Sequence, residues 1–456
     1  MTQSPLPDAD EARAALAAEE LPASAPFWMT RGWWARVGRT SVAVYLATIL
    51  AFVATVVVAR GLGPAEFGAV VLAVAVATLI ATLLDLTLEE AVVHHGYQLR
   101  ARGEMAGIRG LLKASLMLDV AIGVAVSGTV LLLAAPLADL ASAGQLDPDL
   151  VRLAALVTLA GTADSTTSAV MQLAGRPDLR GWGMAGTNLM RLAAVAAALQ
   201  IGSAEAVIVA YAAGNAVGAF GQGMVALGLA RRRWRLGAEP SEMSIPPREL
   251  IRFGFHSSIS TSLAAANGAL IPVVLGRVAG PTAVGLFRAG MMPVVVADAV
   301  SGPVRLVLFP EQARLAAEGD LSQLRRAIRT HTLVGIAVCV PFAVAGWFAL
   351  PWLLPLIFSD SFEDAVVPAR ILLIAAVVHF AGSWFKTLPA ALGKPELKAA
   401  LSLIELVLMI SLLIVLGSQG SEGAAIAYSA ATLASAAITL AAVRVVLRRA
   451  EERARS

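Results

Sequence analysis

The sequence predicts an all-α integral membrane protein with about twelve transmembrane helices, arranged as two parallel six-helix repeats that form two lobes around a central cavity. Three observations predict this fold: an apolar composition, many apolar segments of spanning length, and an internal duplication. Hydrophobic residues make up 58% of the 456 residues and charged residues only 15%, and the mean hydropathy is +0.75. A soluble domain of this length is much more polar, so the bilayer is the expected solvent.

The duplication appears as two pairs of motifs, separated by 217 and 218 positions. The first pair is a Gly-Pro turn, in which the residues of the first copy are Arg60, Gly63, Pro64 and Gly68 and those of the second are Arg277, Gly280, Pro281 and Gly285. The second pair is 175–180 with 393–398. Both pairs lie between long apolar segments, so the chain consists of two similar halves, as in many secondary transporters.

Twelve apolar segments reach the length of about 20 residues that a spanning helix needs. In the first half they are 40–59, 66–88, 112–134, 151–173, 182–201 and 206–230. In the second half they are 250–275, 284–308, 330–356, 367–391, 397–417 and 423–446. Because each half holds an even number of spans, both halves enter the membrane in the same direction, which predicts an axis along the membrane normal between them.

These segments divide the chain into five parts. The predicted parts are a disordered cytoplasmic tail with an interfacial segment (1–38), an N-lobe (39–230), a cytoplasmic linker (231–249), a C-lobe (250–446) and a basic cytoplasmic tail (447–456). The first thirty residues lack the basic start and apolar core of a signal peptide.

Positive charge in alternate loops predicts the orientation. Loops such as 100–113, 231–235 and 325–329 are rich in Arg, whereas 139–149 and 360–364 are acidic. Since positive loops stay on the cytoplasmic side, both termini are predicted to be cytoplasmic. Arg60 and Arg277 depart from this rule, and we expect them to cap the C-termini of the helices that precede them.

The motifs also carry a family resemblance. The segment 60–68, followed by an apolar helix that ends at Asp85 and Leu86, resembles the N-terminal signature of the polysaccharide-export branch of the multidrug/oligosaccharidyl-lipid/polysaccharide flippase superfamily. Val284 to Phe287 and the stretch 309–326 resemble it in the second half, and the match extends over most of 40–445.

The resemblance implies a V-shaped pair of six-helix lobes around a central cavity, which moves a lipid-linked saccharide across a bacterial inner membrane by alternating access. The implied substrate is a polyprenyl-diphosphate oligosaccharide or a related glycolipid, as in O-antigen export. Membrane lipid, a coupling ion (H⁺ or Na⁺) and the glycosyltransferases or polymerase of the same pathway are the implied partners. The resemblance implies no cofactor.

Such a substrate requires cationic and polar side chains in a cavity that crosses about 30 Å of hydrocarbon. Arg191 lies near the middle of the fifth span, where a charged residue costs about 2.5–3.5 kcal/mol to insert. Asp164, near the centre of the fourth span, is its expected partner. Two interpretations stay open: a structural ion pair within the first lobe, or a role in the cavity.

Four further intramembrane residues are candidates for the cavity. Asp298 and Arg305 are seven positions apart, two helical turns on one face, and are expected to line one wall. For Arg305 and Lys386 the alternative is a side chain that snorkels to the membrane surface. His379 is a candidate proton-coupling site, with a packing role as the alternative.

Prolines in spans seven to nine are the candidate hinges, because each removes a backbone hydrogen bond and permits a bend. These residues are Pro272, Pro293, Pro303 and Pro341. A static kink is the alternative for each of them, since membrane helices tolerate proline.

Absent motifs exclude several functions. The sequence has no phosphate-binding loop for ATP, no catalytic residues and no long loop for a catalytic domain, so a membrane glycosyltransferase or polymerase is disfavoured and no enzyme is predicted. His94 and His95, near two glutamates, lack further metal ligands, and no metal site is predicted. The scattered basic residues argue against binding of nucleic acid.

The main alternative is an ion-coupled drug or organic-cation antiporter of the same superfamily, but several intramembrane cations and few aromatic residues (6%) favour an anionic substrate.

Overall fold

The computed structural model describes residues 31–84, 88–237 and 246–455, and every element of regular secondary structure within them is helical. The first half contains α1 (Arg31–Leu84), α2 (Leu88–Ala101), α3 (Met105–Leu132), α4 (Ala134–Ser142), α5 (Pro148–Ala160), α6 (Asp164–Leu173), α7 (Pro177–Ala198) and α8 (Ala204–Trp234). The second half contains α9 (Pro247–Gly290), α10 (Met292–Ala317), α11 (Leu321–Phe358), α12 (Val366–Ala381), α13 (Leu388–Ala391), α14 (Pro395–Leu416) and α15 (Gly420–Arg455). The all-α prediction is confirmed. Residues 1–30 of the predicted tail and Asp85 with Leu86 lie outside the described residues.

Seven helical stretches in the described part of the chain are long and apolar enough to cross a membrane. Two of them, Gly38–Ala101 and Glu396–Arg448, have 64 and 53 residues and hold two predicted spans each; the first includes positions 85–87, which lie outside the described residues. The predicted fifth span lies in α7, where Asn188 and Arg191 reduce the apolar character. The predicted fourth span is not one helix, because α5 and α6 are separated at 161–163.

Both Gly-Pro turns are sharp kinks inside long helices. The backbone leaves the helical conformation at Gly63 in α1 (φ 74°, ψ 175°) and at Gly280 in α9 (φ 82°, ψ 174°). Only glycine adopts these dihedral angles without strain. The two copies of the motif therefore have nearly the same backbone geometry, as an internal duplication requires.

The kinked helices α1 and α9 pack against each other through a reciprocal contact. A methyl carbon added at Gly68 would lie 1.8 Å from the carbonyl oxygen of Pro281, and one added at Gly285 would lie 2.1 Å from that of Pro64. Each glycine thus faces the turn of the other half. The exchange of equivalent contacts is what a two-fold relation between the halves produces.

An aromatic cluster joins the halves beside these turns. The Phe67 ring of α1 lies edge-on to Phe362, with centroids 6.0 Å apart, and Phe52 lies edge-on to Phe358 at 6.4 Å. Phe67, Phe358 and Phe362 are buried in the largest apolar core, which includes side chains from both halves. Apolar burial therefore stabilises the contact between the halves at this end of the molecule.

The break between α5 and α6 is stabilised by Asp119, a residue of α3. Its carboxylate accepts hydrogen bonds from the Thr166 backbone N–H (2.9 Å) and the Thr166 hydroxyl (2.7 Å), and the side chain is buried. Thr166 lies in the first turn of α6, where backbone N–H groups have no partner within the helix. A carboxylate from a neighbouring helix thus accepts a hydrogen bond from a backbone N–H group at the interruption of the span.

Two of the basic residues that predict the orientation in the membrane also cap helices. The buried Arg109 donates to the carbonyl oxygen of Trp234 at the end of α8 (3.1 Å), and Arg100 donates to that of Leu173 at the end of α6 (3.2 Å). Cations at helix C-termini are favoured by the helix dipole.

The prediction that Arg60 caps the preceding helix is wrong. Arg60 donates to the carbonyl oxygens of Leu356 (2.8 Å) and Ile357 (3.2 Å), at the C-terminus of α11 in the other half. Because α1 continues past Arg60 to the kink, the helix end nearest to this side chain belongs to the second half.

The candidate hinge prolines lie in different settings. The backbone of α9 is helical at Pro272, and that of α11 continues through Pro341. Pro293 lies in the first turn of α10, directly after the break at Met291, where its missing N–H leaves no hydrogen bond unmade. Pro303 lies within α10, but its side chain is outside the described residues. Movement at these prolines stays a prediction.

Candidate functional site: two adjoining cavities

A cavity of about 530 Å³ lies between the two halves, bounded mainly by α1 and α9. Its charged side chains are Arg191 from α7 and Arg288 from α9, and Tyr211 of α8 also belongs to the lining. The remaining lining is apolar or hydroxylic: Thr48, Ala51, Phe52, Thr55, Phe67, Val70, Val71, Val74, Ala75, Thr78, Gly268, Ala269, Pro272, Met292, Val295 and Phe358. No carboxylate occurs among the described residues that line this central cavity.

Arg191 is held against Tyr211. Its guanidinium carbon lies 5.3 Å from the centre of the tyrosine ring, within range of a cation–π interaction. Gly214 allows this approach, since a methyl carbon added there would lie 2.4 Å from the Arg191 Cα atom. The Arg191 Nε atom is buried without a hydrogen-bond partner. The guanidinium therefore has donor capacity to spare at the cavity wall.

The predicted Asp164–Arg191 ion pair is wrong. Asp164 is the first residue of α6, directly after the break in the fourth span, and its side chain makes no ion pair with Arg191. In the described residues Arg191 has an aromatic ring as its neighbour instead of a carboxylate. Arg191 lines the central cavity, and its role there stays a prediction.

Sequence reasoning missed Arg288. It lies one turn inside the predicted eighth span, and the equivalent position of the first half, 217 residues earlier, is Val71. Tyr211 interacts electrostatically with both Arg288 and Arg191, so both guanidiniums lie near this side chain. The available signal was an arginine in an apolar segment with no charged counterpart in the other repeat.

A second cavity of about 530 Å³ lies in the C-terminal half. Its polar lining consists of Arg288, Asp298, His379, Lys398, Ser402, Glu405, Tyr428, Thr432, Ser435 and Thr439. Gly268, Pro272 and Arg288 line both cavities, so the two adjoin along α9.

Two of the predicted site residues, Asp298 and His379, line this C-terminal cavity, and a third, Arg305, contacts Asp298 without being part of the lining. The Arg305 guanidinium donates to Asp298 Oδ1 (3.3 Å) and to the Ser301 hydroxyl (2.7 Å). His379 Nδ1 lies 3.6 Å from the same carboxylate oxygen, and His379 Nε2 is 3.3 Å from the Tyr428 hydroxyl. The structure thus brings Asp298, Arg305 and His379 into one network. The Lys386 side chain lies outside the described residues.

Two buried polar atoms of this cavity have no hydrogen-bond partner within the described part of the chain. They are His379 Nδ1, which is just beyond hydrogen-bond distance from Asp298, and the Thr432 hydroxyl. Groups of three or more His, Cys, Asp or Glu side chains that could hold a metal ion are absent from the described residues. The cavity therefore offers unused hydrogen-bonding capacity without a metal-binding cluster.

Tyr428 and Tyr211 occupy equivalent positions, because they are separated by the same 217 residues as the Gly-Pro turns. In the first half the tyrosine packs on Arg191, whereas in the second it stacks on His379, with ring centres 6.0 Å apart. The two cavities are thus built on one repeated position with different charged neighbours.

Comparisons with known proteins agree with this architecture. A family model described as "Polysaccharide biosynthesis protein" matches residues 34–316. No curated protein matches the sequence.

Three solved structures illustrate the fold that the chain resembles. An inward-facing multidrug resistance MATE family transporter of the MOP superfamily is 15% identical, with 91% of this chain and 98% of that chain covered and a TM-score of 0.69. The lipid II flippase MurJ in an inward closed conformation is 11% identical, with 89% and 87% covered and a TM-score of 0.67. A MOP superfamily transporter from Pyrococcus furiosus, described by the reverse polarity of its binding pocket, is 14% identical, with 91% and 96% covered and a TM-score of 0.58. At these identities the similarity shows a shared two-lobed fold.

Proposed function

The chain belongs to the polysaccharide biosynthesis protein family, and from this membership we propose that it is a flippase for a lipid-linked oligosaccharide carried on a polyprenyl diphosphate, or for a related glycolipid. In this proposal it lies in a bacterial cytoplasmic membrane with both termini in the cytoplasm. It moves its substrate from the inner to the outer leaflet by alternating access of the two lobes. Glycosyltransferases and a polymerase of the same pathway supply and consume the substrate.

The observation that carries the proposal is the pair Arg191 and Arg288 in a central cavity whose described lining contains no carboxylate. Two guanidiniums that face a cavity within the membrane are costly without an anion nearby, and a bound anion offsets that cost. A diphosphate supplies negative charge and several acceptor oxygens, and each guanidinium presents a fork of donors that fits a phosphate. The cavity chemistry therefore suits the diphosphate of a lipid carrier.

The antiporter alternative is less well supported by the same cavity. A site for an organic cation requires acidic or aromatic walls, yet the charged side chains of the central cavity are both positive. Asp298 and Glu405 lie in the C-terminal cavity, where Arg288 and Lys398 also contribute to the lining. The driving force is a gradient of H⁺ or Na⁺, the membrane potential or the substrate gradient, as the sequence has no phosphate-binding loop for ATP.

The test is flipping of a fluorescent undecaprenyl-diphosphate oligosaccharide in proteoliposomes. We compare the wild-type protein with Arg191→Gln, Arg288→Gln and a control, Arg314→Gln, which removes one positive charge from an exposed cytoplasmic-side helix segment. Hydrogen bonds to charged groups contribute about 1.5–3 kcal/mol, so each cavity variant is expected to reduce flipping by roughly 10- to 150-fold. The control is expected to flip at the wild-type rate.

Two outcomes contradict the proposal. Equal rates in all four proteins would remove the arginine pair from the substrate path. Exchange of an organic cation such as ethidium against H⁺ or Na⁺, without flipping of the lipid, would assign the protein to the antiporter class. Thermal unfolding midpoints of the variants distinguish a loss of transport from a loss of folding.

A further inference from the structure

We propose that the cavity of the C-terminal half is a saccharide subsite, in which the Thr432 hydroxyl and His379 Nδ1 hydrogen-bond to sugar hydroxyls. The inference rests on the proposed function, because it divides one substrate between two cavities: the diphosphate lies at the arginine pair, and the sugar next to it lies in the C-terminal cavity.

The first support is the position of the cavity. Arg288 lines both cavities, and so do Gly268 and Pro272 on the same helix, α9. A headgroup whose phosphates contact Arg288 therefore reaches the C-terminal cavity without crossing another helix. The cavity of about 530 Å³ lies within the range of roughly 300–1,000 Å³ typical of small-molecule sites, which is sufficient for a mono- or disaccharide.

The second support is the charge pattern. Asp298 and Glu405 line the C-terminal cavity together with Arg288 and Lys398, so its charges balance, whereas the charged side chains of the central cavity are both positive. A diphosphate is therefore favoured less in the C-terminal cavity than in the central one. Carboxylates accept hydrogen bonds from hydroxyl groups, which a saccharide provides in abundance. The positive central cavity and the mixed C-terminal cavity thus match the two chemically distinct parts of a lipid-diphosphate saccharide.

The third support is the pair of unpartnered polar atoms. Thr432 is buried, and the His379 side chain is 10% exposed. Among the described residues, neither the Thr432 hydroxyl nor His379 Nδ1 has a hydrogen-bond partner. A buried polar group without a partner costs about 1–3 kcal/mol. A sugar hydroxyl supplies both a donor and an acceptor, so one ring can satisfy both atoms.

The remaining lining is consistent with a sugar ring. Phe287, Phe385 and Tyr428 provide aromatic surface for its apolar faces, and Ser402, Ser435 and Thr439 provide further hydroxyls. An apolar wall with a few convergent polar groups is the usual composition of a specific small-molecule site. A metal ion is a poor match, given that the described residues contain no cluster of three potential ligands.

The experiment measures binding to the full-length protein in nanodiscs by calorimetry. The probes are farnesyl diphosphate and four farnesyl-diphosphate sugars, carrying glucose, galactose, N-acetylglucosamine or glucuronic acid. The proteins are the wild type, Thr432→Val, Arg288→Gln and a matched control, Ser429→Ala. Ser429 lies on the same helix as Thr432, but its hydroxyl donates to the backbone oxygen of Ile371 (3.1 Å).

We expect the wild type to bind at least one sugar-bearing probe more tightly than farnesyl diphosphate. Thr432→Val is expected to reduce this gain in affinity by roughly threefold to tenfold, which is the effect of one hydrogen bond. Thr432→Val is expected to leave the affinity for farnesyl diphosphate unchanged, whereas Arg288→Gln weakens every probe. Ser429→Ala is expected to keep the sugar gain of the wild type.

Three results overturn the subsite. In the first, no sugar strengthens binding to the wild type although farnesyl diphosphate binds. In the second, Thr432→Val weakens the bare and the sugar-bearing probes equally. In the third, farnesyl diphosphate and all four sugar probes fail to bind to the wild type, which refutes the proposed function together with the subsite. Comparison of unfolding midpoints separates misfolded variants from these results.

Discussion

The reciprocal glycine contact between α1 and α9 predicts that Gly68→Ala forces the two halves apart at the Gly-Pro turns. The added carbon would lie 1.8 Å from the carbonyl oxygen of Pro281, about 1.6 Å short of the 3.4 Å at which ordinary van der Waals contact begins. The clash is with backbone, so no side-chain rotation relieves it. Overpacking of this kind costs about 1–3 kcal/mol, which shifts a two-state equilibrium by roughly 5- to 150-fold.

The assay uses the reactivity of a cysteine in the central cavity. In a Cys339→Ser background, Thr55→Cys introduces one thiol into the lining, and a membrane-impermeant thiol reagent is added on the side of the Gly-Pro turns. We expect Gly68→Ala to increase the labelling rate, because the altered contact favours a state open on that side. Gly128→Ala is the matched control, as Gly128 lies within helix α3 and an added methyl group meets no atom within 4 Å.

The control also sets the sign of the stability change. In a helix, Gly→Ala without a clash is stabilising by up to about 1 kcal/mol, so Gly128→Ala is expected to keep or raise the unfolding midpoint while Gly68→Ala lowers it. If Gly68→Ala and the wild type have the same labelling rate, unfolding midpoint and flipping rate, the close contact is refuted. The inference that this contact controls opening on the side of the Gly-Pro turns is then refuted as well.

Three further predictions concern single residues. Asp119→Leu leaves the buried Thr166 backbone N–H unpaired and is expected to destabilise the protein by at least about 1–3 kcal/mol, measured as a lower thermal unfolding midpoint; an unchanged midpoint would contradict the capping role. Arg60→Gln removes a cation from the C-terminus of α11 and is expected to lower the free energy of unfolding by about 0.3–1 kcal/mol. High salt should reduce this difference in stability between the variant and the wild type. The hydrogen bond from Arg176 lowers the pKa of Asp178 below its ordinary 3.8, so the stability advantage of the wild type over Asp178→Asn is present above that value and should disappear as the pH falls through the lower, folded-state pKa. Midpoints measured in parallel at neutral and acidic pH check this sign.

Features determined by local chemistry were predictable from the sequence. The kinks at Gly63 and Gly280 follow from repeated Gly-Pro motifs, since only glycine adopts a positive φ without strain. Most of the predicted spans coincide with helices because apolar length is a local property. Arg191 was found because an arginine within a span requires a functional or structural reason.

Features determined by packing were not predictable in the same way. Whether Arg288 faces the cavity depends on how α9 is rotated about its axis relative to α1. The apolar pattern of the sequence indicates how deep in the membrane a residue lies, but it does not indicate which side of the helix faces the cavity. The pairing expected for Asp164 fails because the fourth span is interrupted, and the interruption is stabilised by Asp119 on a different helix. A carboxylate in the third span was the available signal for that interruption.

The repeated tyrosine position has a consequence for the direction of transport. A protein with two identical halves would present the same surface to a ligand from either lobe, and a headgroup could then bind in two opposite orientations. Tyr211 beside Arg191 and Tyr428 beside His379 make the halves chemically different at one equivalent place. In a scaffold close to two-fold symmetry, this difference makes the two opposite orientations of a bound ligand unequal in energy. Under the proposed function, the headgroup of the lipid-linked substrate therefore has one preferred orientation.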